Sequence, residues 1–148
     1  MRQAQVVLGF DFGLKRIGIA SGNTLTGEAS PRPAAAVNAR GPDWEAIGDA
    51  VRALAPARLV VGAPYNADGT EGALTRAARR FAAELGKRHA LPVHLVDERF
   101  SSMEGAAALK ARRASGERRR RVARADIDSA AAAVILGRFL RGEGKVKP

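Results

Sequence analysis

Five carboxylates fall where an α/β chain brings strands and helices to an end. Asp11 interrupts the apolar run VVLGFDF (residues 6–12), Asp97 and Glu98 close VHLVDE, and Asp126 and Asp128 open DIDSAAAAVIL. In open α/β sheets, functional side chains gather outside strand ends, where loops converge. A carboxylate left alone in such a place costs several kcal/mol unless it is neutralised or paired, so these acids call for cations. Hard divalent ions such as Mg²⁺ and Mn²⁺ are held by a few carboxylates together with water and phosphate oxygens. Two such ions about 4 Å apart can activate water and stabilise the leaving oxygen of a phosphodiester, with no nucleophile from the protein. Each acid also has a plainer role open to it: Asp11 as a cap on the GLK turn, Glu98 as an ion-pair partner of Arg99, and one of Asp126 and Asp128 as a helix N-cap while the other reaches the site.

Basic and glycine-rich elements accompany the acids. Lys15 and Arg16 follow Asp11 in the turn and are placed either to contact a scissile phosphate or to solvate the turn. GAPYNADGTEG (62–72) is a glycine-rich segment between a strand and a helix, where backbone N–H groups and the helix dipole accept an anion. His89 and His94 lack the HxH or HExxH spacing of metal sites and are expected to be packing or surface residues. The chain has no cysteine, which excludes disulfides, thiolate metal sites and thiol nucleophiles.

Charge narrows the class of partner. Of 148 residues, 25 are Lys or Arg and 15 are Asp or Glu, a net charge of +10. Residues 1–98 hold 12 basic and 10 acidic residues, whereas 99–148 hold 13 and 5, so the excess lies in the last third. A basic surface beside an acidic cluster suits a polyanion, most commonly nucleic acid. The Arg-rich segment 112–124, with Arg118, Arg119, Arg120, Arg121 and Arg124, is expected to be a loop that grips its backbone. No apolar run approaches the roughly 20 residues of a membrane span, and the N-terminus lacks a signal-peptide layout, so a cytoplasmic protein with no membrane partner is expected.

The elements that must position these residues follow from periodicity. Residues 6–12 and 16–21 alternate as an N-terminal antiparallel hairpin, and 28–37, with Pro31 and Pro33, suits an edge strand. Pro42 is expected to open a helix bearing Trp44, Ile47, Val51 and Leu54 on one face and stopping near Pro56. Residues 58–64 form a buried strand. Thr70 is expected to N-cap a helix through about Leu85, with Leu74, Ala78, Phe81 and Leu85 on its apolar face. A further strand follows Pro92, then a helix at about 101–113, the loop 114–124, and a small-sided helix from Asp126 or Ile127. The result is an α/β fold, a mixed sheet led by a hairpin and flanked by helices, in one domain over 1–142 with a flexible tail at 143–148.

With these motifs in order, the chain resembles the YqgF/RuvX family, described as Holliday junction resolvases and as pre-16S rRNA nucleases of RNase H-like fold. GFDFGLKRIGIA is similar to the family's first-strand motif, VVGAPYNADGTEG to its central loop, LVDERFSSMEG to its acidic strand end and DIDSAAAAVIL to its last-helix motif. The resemblance implies that Asp11, Glu98 and Asp128 form the catalytic, metal-binding set for Mg²⁺ or Mn²⁺. It implies that Asn66, Asp68, Gly69 and Arg99 support the substrate. Ala63, Ala67 and Ser102 depart mildly from the family pattern. The lysine often found shortly before the last aspartate is absent, and Arg121 or Arg124 is left to supply that charge. The expected activity is metal-dependent hydrolysis of phosphodiester bonds, in pre-16S rRNA 5′-end processing. Alternatives are resolution of branched DNA, which would favour a homodimer, and a noncatalytic nucleic-acid-binding module. The first hairpin also resembles the phosphate hairpin of actin-like and sugar-kinase phosphotransferases, which need a second subdomain to enclose a nucleotide.

Overall fold

The computed structural model describes residues 4–66, 68–97 and 124–142, with side chains in the last segment from Ser129 onward. Its elements are β1 (Val6–Phe12), β2 (Arg16–Asn23), β3 (Ala29–Asn38), β4 (Gly41–Pro42), α1 (Trp44–Leu54), β5 (Arg58–Ala63), α2 (Ala73–His89), β6 (Val93–Asp97) and α3 (Arg124–Leu140). The strands form one mixed sheet in the order β4-β3-β2-β1-β5-β6. β1 pairs antiparallel with β2 and parallel with β5, which pairs parallel with β6. The hairpin-led α/β architecture expected from the sequence is therefore present.

Alternation along each strand sorts side chains onto two faces. Leu8, Phe10, Ile17, Ile19, Leu59 and Val61 pack beneath α1 and α2 with Ile47, Phe81 and Leu85. Val7, Ala20, Val60 and Val96 pack beneath α3 with Ala132, Ile135, Leu136 and Phe139. Pro31 and Pro33 lie in β3 where, among the described residues, its outer side pairs with no strand, since β4 meets only Val37 and Asn38, so their missing N–H groups break no ladder bond there.

Helix boundaries differ from the sequence expectation for local reasons. Pro42 belongs to β4, and Asp43 caps α1 by accepting from the Ala46 amide at 3.1 Å. α2 starts at Ala73, not after Thr70, because Thr75 supplies the cap: its Oγ accepts from the Gly72 amide at 3.1 Å. The helix continues past Leu85 to His89 and ends at Ala90 in the left-handed region, φ 52°. Leu74 keeps the phase of Ala78 and Leu85 yet is 38% exposed, because the first turn of α2 lies over the loop that follows β5 instead of over the sheet. α3 begins at Arg124, so Asp126 and Asp128 stand within its first turns and not before it. The expected helix at 101–113, the expected loop 114–124 as far as residue 123, and the tail at 143–148 lie outside the described residues, and Arg124, expected to end that loop, is the first residue of α3. Among the described residues no helix is long and apolar enough to cross a membrane.

Candidate active site

β1, β5 and β6 run parallel, so their C-terminal ends reach one edge of the molecule together. Asp11 is the penultimate residue of β1 at that edge, half-buried, and in register with Gly18 on β2 and Gly62 on β5. By alternation from Val7 and Gly9 it belongs to the face covered by α3. The carboxylate stands half-buried at the end of an apolar strand, and neither of its strand neighbours, Gly18 and Gly62, carries a side chain to set against it.

α3 is held close to that face. At Gly9 the nearest atoms to a would-be Cβ are Leu136 Cβ at 2.8 Å and the Ala132 carbonyl at 3.4 Å, so only glycine admits the helix this near. One turn nearer its N-terminus, Ser129 is 2% exposed and bonded to the sheet: its hydroxyl donates to the Arg32 carbonyl at 2.6 Å and accepts from the Ile19 amide at 3.5 Å. This contact falls where the β2–β3 register shifts between Ile17 and Ile19, and it ties the head of α3 to main-chain groups of both strands. Ser129 therefore pins the start of α3 beside the end of β1.

The glycine-rich loop arrives at the same edge from β5. The Asn66 amide donates to the Thr70 carbonyl at 2.9 Å and the Gly69 amide to the Asn66 carbonyl at 2.8 Å. The Asp68 carboxylate accepts from the Thr70 amide at 3.0 Å and its hydroxyl at 2.7 Å, while the Asn66 side chain donates to Thr70 Oγ1 at 3.0 Å. Gly69 has φ 88°, a conformation that favours glycine. Thr75, fully buried, ties the loop to α2 by donating to the Pro64 carbonyl at 2.7 Å. Arg79 adds a second tie, donating to Tyr65 Oη at 2.8 Å and pairing with Glu71. The Tyr65 hydrogen bond, ahead of the Glu71 charge, pushes the Arg79 pKa above its ordinary value, so the link stays charged.

Asp11, the hairpin residues Lys15 and Arg16, and the loop bearing Asn66, Asp68 and Gly69 thus share one edge with the backbone of Arg124 to Asp128. Lys15 is exposed, and Arg16, half-buried, has the strand parity of Gly18 and Asp11. Glu98, Arg99 and Arg118 to Arg121, and the side chains of Arg124, Asp126 and Asp128, lie outside what is described. Among the described residues no three acids or histidines gather as a metal-binding group; Asp11 is the one expected ligand whose side chain is described. His94 packs its ring against Phe139, centroids 5.1 Å apart, as a packing residue would.

Sequence reasoning missed Ser129 and Thr75. Ser129 was legible only as the polar residue heading SAAAAVIL, and Thr75 as the third residue after a capping glycine, the spacing of a capping box.

Comparison with known proteins places this arrangement. A protein from Legionella pneumophila subsp. pneumophila named "Putative pre-16S rRNA nuclease" is 46% identical over 136 residues, covering 92% of this chain and 95% of its own. One of the same name from Xanthomonas campestris pv. campestris is 45% identical over 140 residues, covering 95% and 90%. Thermus thermophilus RuvC, solved in complex with a Holliday junction substrate, superposes with a TM-score of 0.55 at 16% identity, covering 95% of this chain and 98% of that one. That likeness shows the fold, which is RNase H-like as the sequence motifs implied. A family model described as "RuvX: Holliday junction resolvase" matches residues 5–142, and with relatives this similar across nearly the whole chain, the protein belongs to the RuvX family.

Proposed function

We propose that this protein is a nuclease that hydrolyses phosphodiester bonds in precursor 16S rRNA, with Asp11, Glu98 and Asp128 as its catalytic acids. The carrying observation is the place of Asp11: at the end of β1, on the face covered by α3, flanked in register by two glycines. The motifs LVDERFSSMEG and DIDSAAAAVIL, which resemble the family's, support Glu98 and Asp128 as the other two acids. On β6, Val96 packs under α3, on the face to which Asp11 belongs. Position 128 precedes the fully buried Ala132 by four residues and Ile135 by seven, the spacing of one helix face. Position 126 is two residues away, roughly 200° around the helix.

An all-oxygen donor set of this kind suits a hard divalent ion, Mg²⁺ or Mn²⁺. When bound, the ion supplies the positive charge that a scissile phosphate and an attacking water require. The chain's own residues do the rest. Asp11 is held rigidly by strand pairing on both sides, and Lys15 and Arg16 bring positive charge to the same edge. Asn66 and Gly69 present a tightly bonded loop, and Arg99, Arg118 to Arg121 and Arg124 neutralise the substrate backbone. The nuclease names of the relatives and the RuvX family match support this reading, and a cytoplasmic location goes with it.

The family model's description favours a second substrate, branched DNA, for which symmetric resolution would require two active sites and hence a homodimer. Cleavage of precursor rRNA, single strands and a synthetic four-way junction, compared with Mn²⁺ and with EDTA, separates the substrates. Asp11→Asn is expected to abolish cleavage in each active lane while folding and binding persist. Retained cleavage by the purified variant would overturn the assignment, and binding without cleavage by the wild type would indicate a noncatalytic module.

A further inference from the structure

Helix α2 carries five cations, Arg76, Arg79, Arg80, Lys87 and Arg88, against one acid, Glu84. Two are engaged with acids or rings: Arg79 with Tyr65 and Glu71, and Arg88 with Glu84 at 2.9 Å and over the Trp44 ring at 4.3 Å; Arg76 donates to the Glu71 carbonyl at 3.4 Å. Arg76, Arg80 and Lys87 are exposed, and among the described residues none of the three enters an ion pair. At 100° per residue, positions 76, 80 and 87 fall within about 40° of one another, opposite the stripe of Thr75, Ala78, Ala82 and Leu85 buried against the sheet.

The helix dipole favours Lys87 in the last turn, but helix stability does not account for Arg76 and Arg80. Arg76 lies in the N-terminal part of α2, whose first turn contains no acid, where the helix dipole disfavours positive charge. Arg76 and Arg80 are like charges at i,i+4, which is also unfavourable. The stripe begins at the loop that shares an edge with Asp11, because Thr75 fastens the first turn of α2 to Pro64, and it runs from there down the outer face. At 1.5 Å per residue it spans about 17 Å, the length of about five stacked nucleotides at 3.4 Å each.

We infer that Arg76, Arg80 and Lys87 form a track for the phosphate backbone of the nucleic-acid strand that flanks the cleavage site. The inference rests on the nuclease reading above and adds a surface to it. The track binds phosphates without reading bases, so it holds the strand beyond the cut and leaves the choice of bond to the catalytic edge.

The test uses full-length Asp11→Asn protein, which binds without cutting, and a fluorescein-labelled single-stranded oligouridylate titrated across salt concentrations. R76Q/R80Q/K87Q is expected to lower the slope of log affinity against log salt by about 2, from three contacts at about 0.7 each, and to weaken binding about 100-fold near 0.1 M salt. The charge-keeping R76K/R80K/K87R should bind like the parent, which shows that the fold is intact. R40Q/R52Q/R141Q removes the same charge elsewhere and should cost far less. An unchanged slope in the first variant, or equal losses in the first and third, would overturn the track. So would binding of polyglutamate as tight as that of RNA and lost in the same variant, which would assign the stripe to an acidic polypeptide. In the active chain the first variant should raise KM with kcat unchanged. A failed track thus leaves wild-type cleavage standing, whereas a failed nuclease reading shows in Asp11→Asn.

Discussion

Gly9→Ala tests whether the closeness of α3 to β1 governs the active edge. A Cβ at position 9 would lie 2.8 Å from Leu136 Cβ, an atom fixed to the helix backbone and unable to swing aside. Ordinary carbon contacts fall near 3.5–4.0 Å, so the helix must retreat by about 1 Å. Overpacking of this kind costs about 1–3 kcal/mol, reduced by up to about 1 kcal/mol because alanine restricts the unfolded chain. In a chain this long, each kcal/mol lowers Tm by about 2–4 °C. A shift of about 1 Å in the helix that carries Asp128 can also cost on the order of 100-fold in rate, well beyond the fraction unfolded. Urea denaturation and kcat at a temperature where the variant is folded read the two effects separately. Gly22→Ala is the control: its Cβ would meet Leu140 Cδ1 at 2.8 Å and the Glu28 carbonyl at 3.0 Å, near the opposite end of α3. It should destabilise comparably and leave the kcat of folded protein near wild type. A destabilised Gly9→Ala with wild-type kcat would remove α3 from the site, and unchanged stability would refute the tight contact itself.

Further outcomes follow from the same contacts. Ser129→Ala should cost about 1–3 kcal/mol in urea unfolding, since it removes the bonds to the Arg32 carbonyl and the Ile19 amide under the helix; Ser129→Thr, which keeps the hydroxyl, should recover part of that loss. Thr75→Val should destabilise by about the same amount and raise KM, because the loop at Pro64 and the start of α2 lose their shared tie. Burial first, then the charges of Arg52 and Arg88, hold the His89 pKa below its ordinary 6.5. The unfolded chain therefore binds a proton before the folded one as pH falls, so stability should drop as pH decreases from 6.5 to the native value. His89→Gln should flatten that segment of the Tm–pH curve. Charge reversal at Arg118 to Arg121 should weaken RNA binding and reduce its salt dependence, and an unchanged slope would exclude that segment from the interface.

Much of the fold was legible because its signals are local. The hairpin of β1 and β2, the proline-bearing edge of β3 and the strands 58–63 and 93–97 all follow from alternation and breakers within a few residues. Helix starts were less so, because several residues compete to cap. Thr70 looked like the N-cap of α2, but its hydroxyl is bound to Asp68 and Asn66 within the loop, and Thr75 does the work from inside the helix. Asp126 and Asp128 looked like candidate caps, but α3 starts earlier and leaves them separated by helical phase. Asp11 was legible as an acid out of place in an apolar strand. Its strand neighbours, Gly18 and Gly62, depend on pairings that no local pattern announces.

The two faces of the sheet explain why the chemistry lies on one of them. Beneath α1 and α2 the sheet presents Phe10, Ile17, Ile19 and Leu59, and these meet an aromatic group in which Phe81 touches Phe10, Phe12 and Trp44 at 5.9, 5.3 and 5.4 Å between centroids. Large side chains keep these helices at a distance. Beneath α3 the sheet sets Gly9, Ala20 and Gly22 among Val7, Val60 and Val96, and the helix brings Ala132 and the backbone end of Leu136 against Gly9. Small residues on both sides let the main chains approach, and close approach of rigid elements fixes relative position better than layers of long, rotameric side chains can. A hydrolytic site assembled from acids on separate strands and a helix needs that fixity, because short carboxylate side chains cannot correct errors in backbone placement. The same small residues have a cost: they bury less apolar surface per residue than the opposite face does, so the stability of the molecule rests mainly on the α1–α2 layer. Substitutions that trim Phe81 or Leu85 should therefore unfold the protein, whereas those that add bulk at Gly9 should first disturb its catalysis.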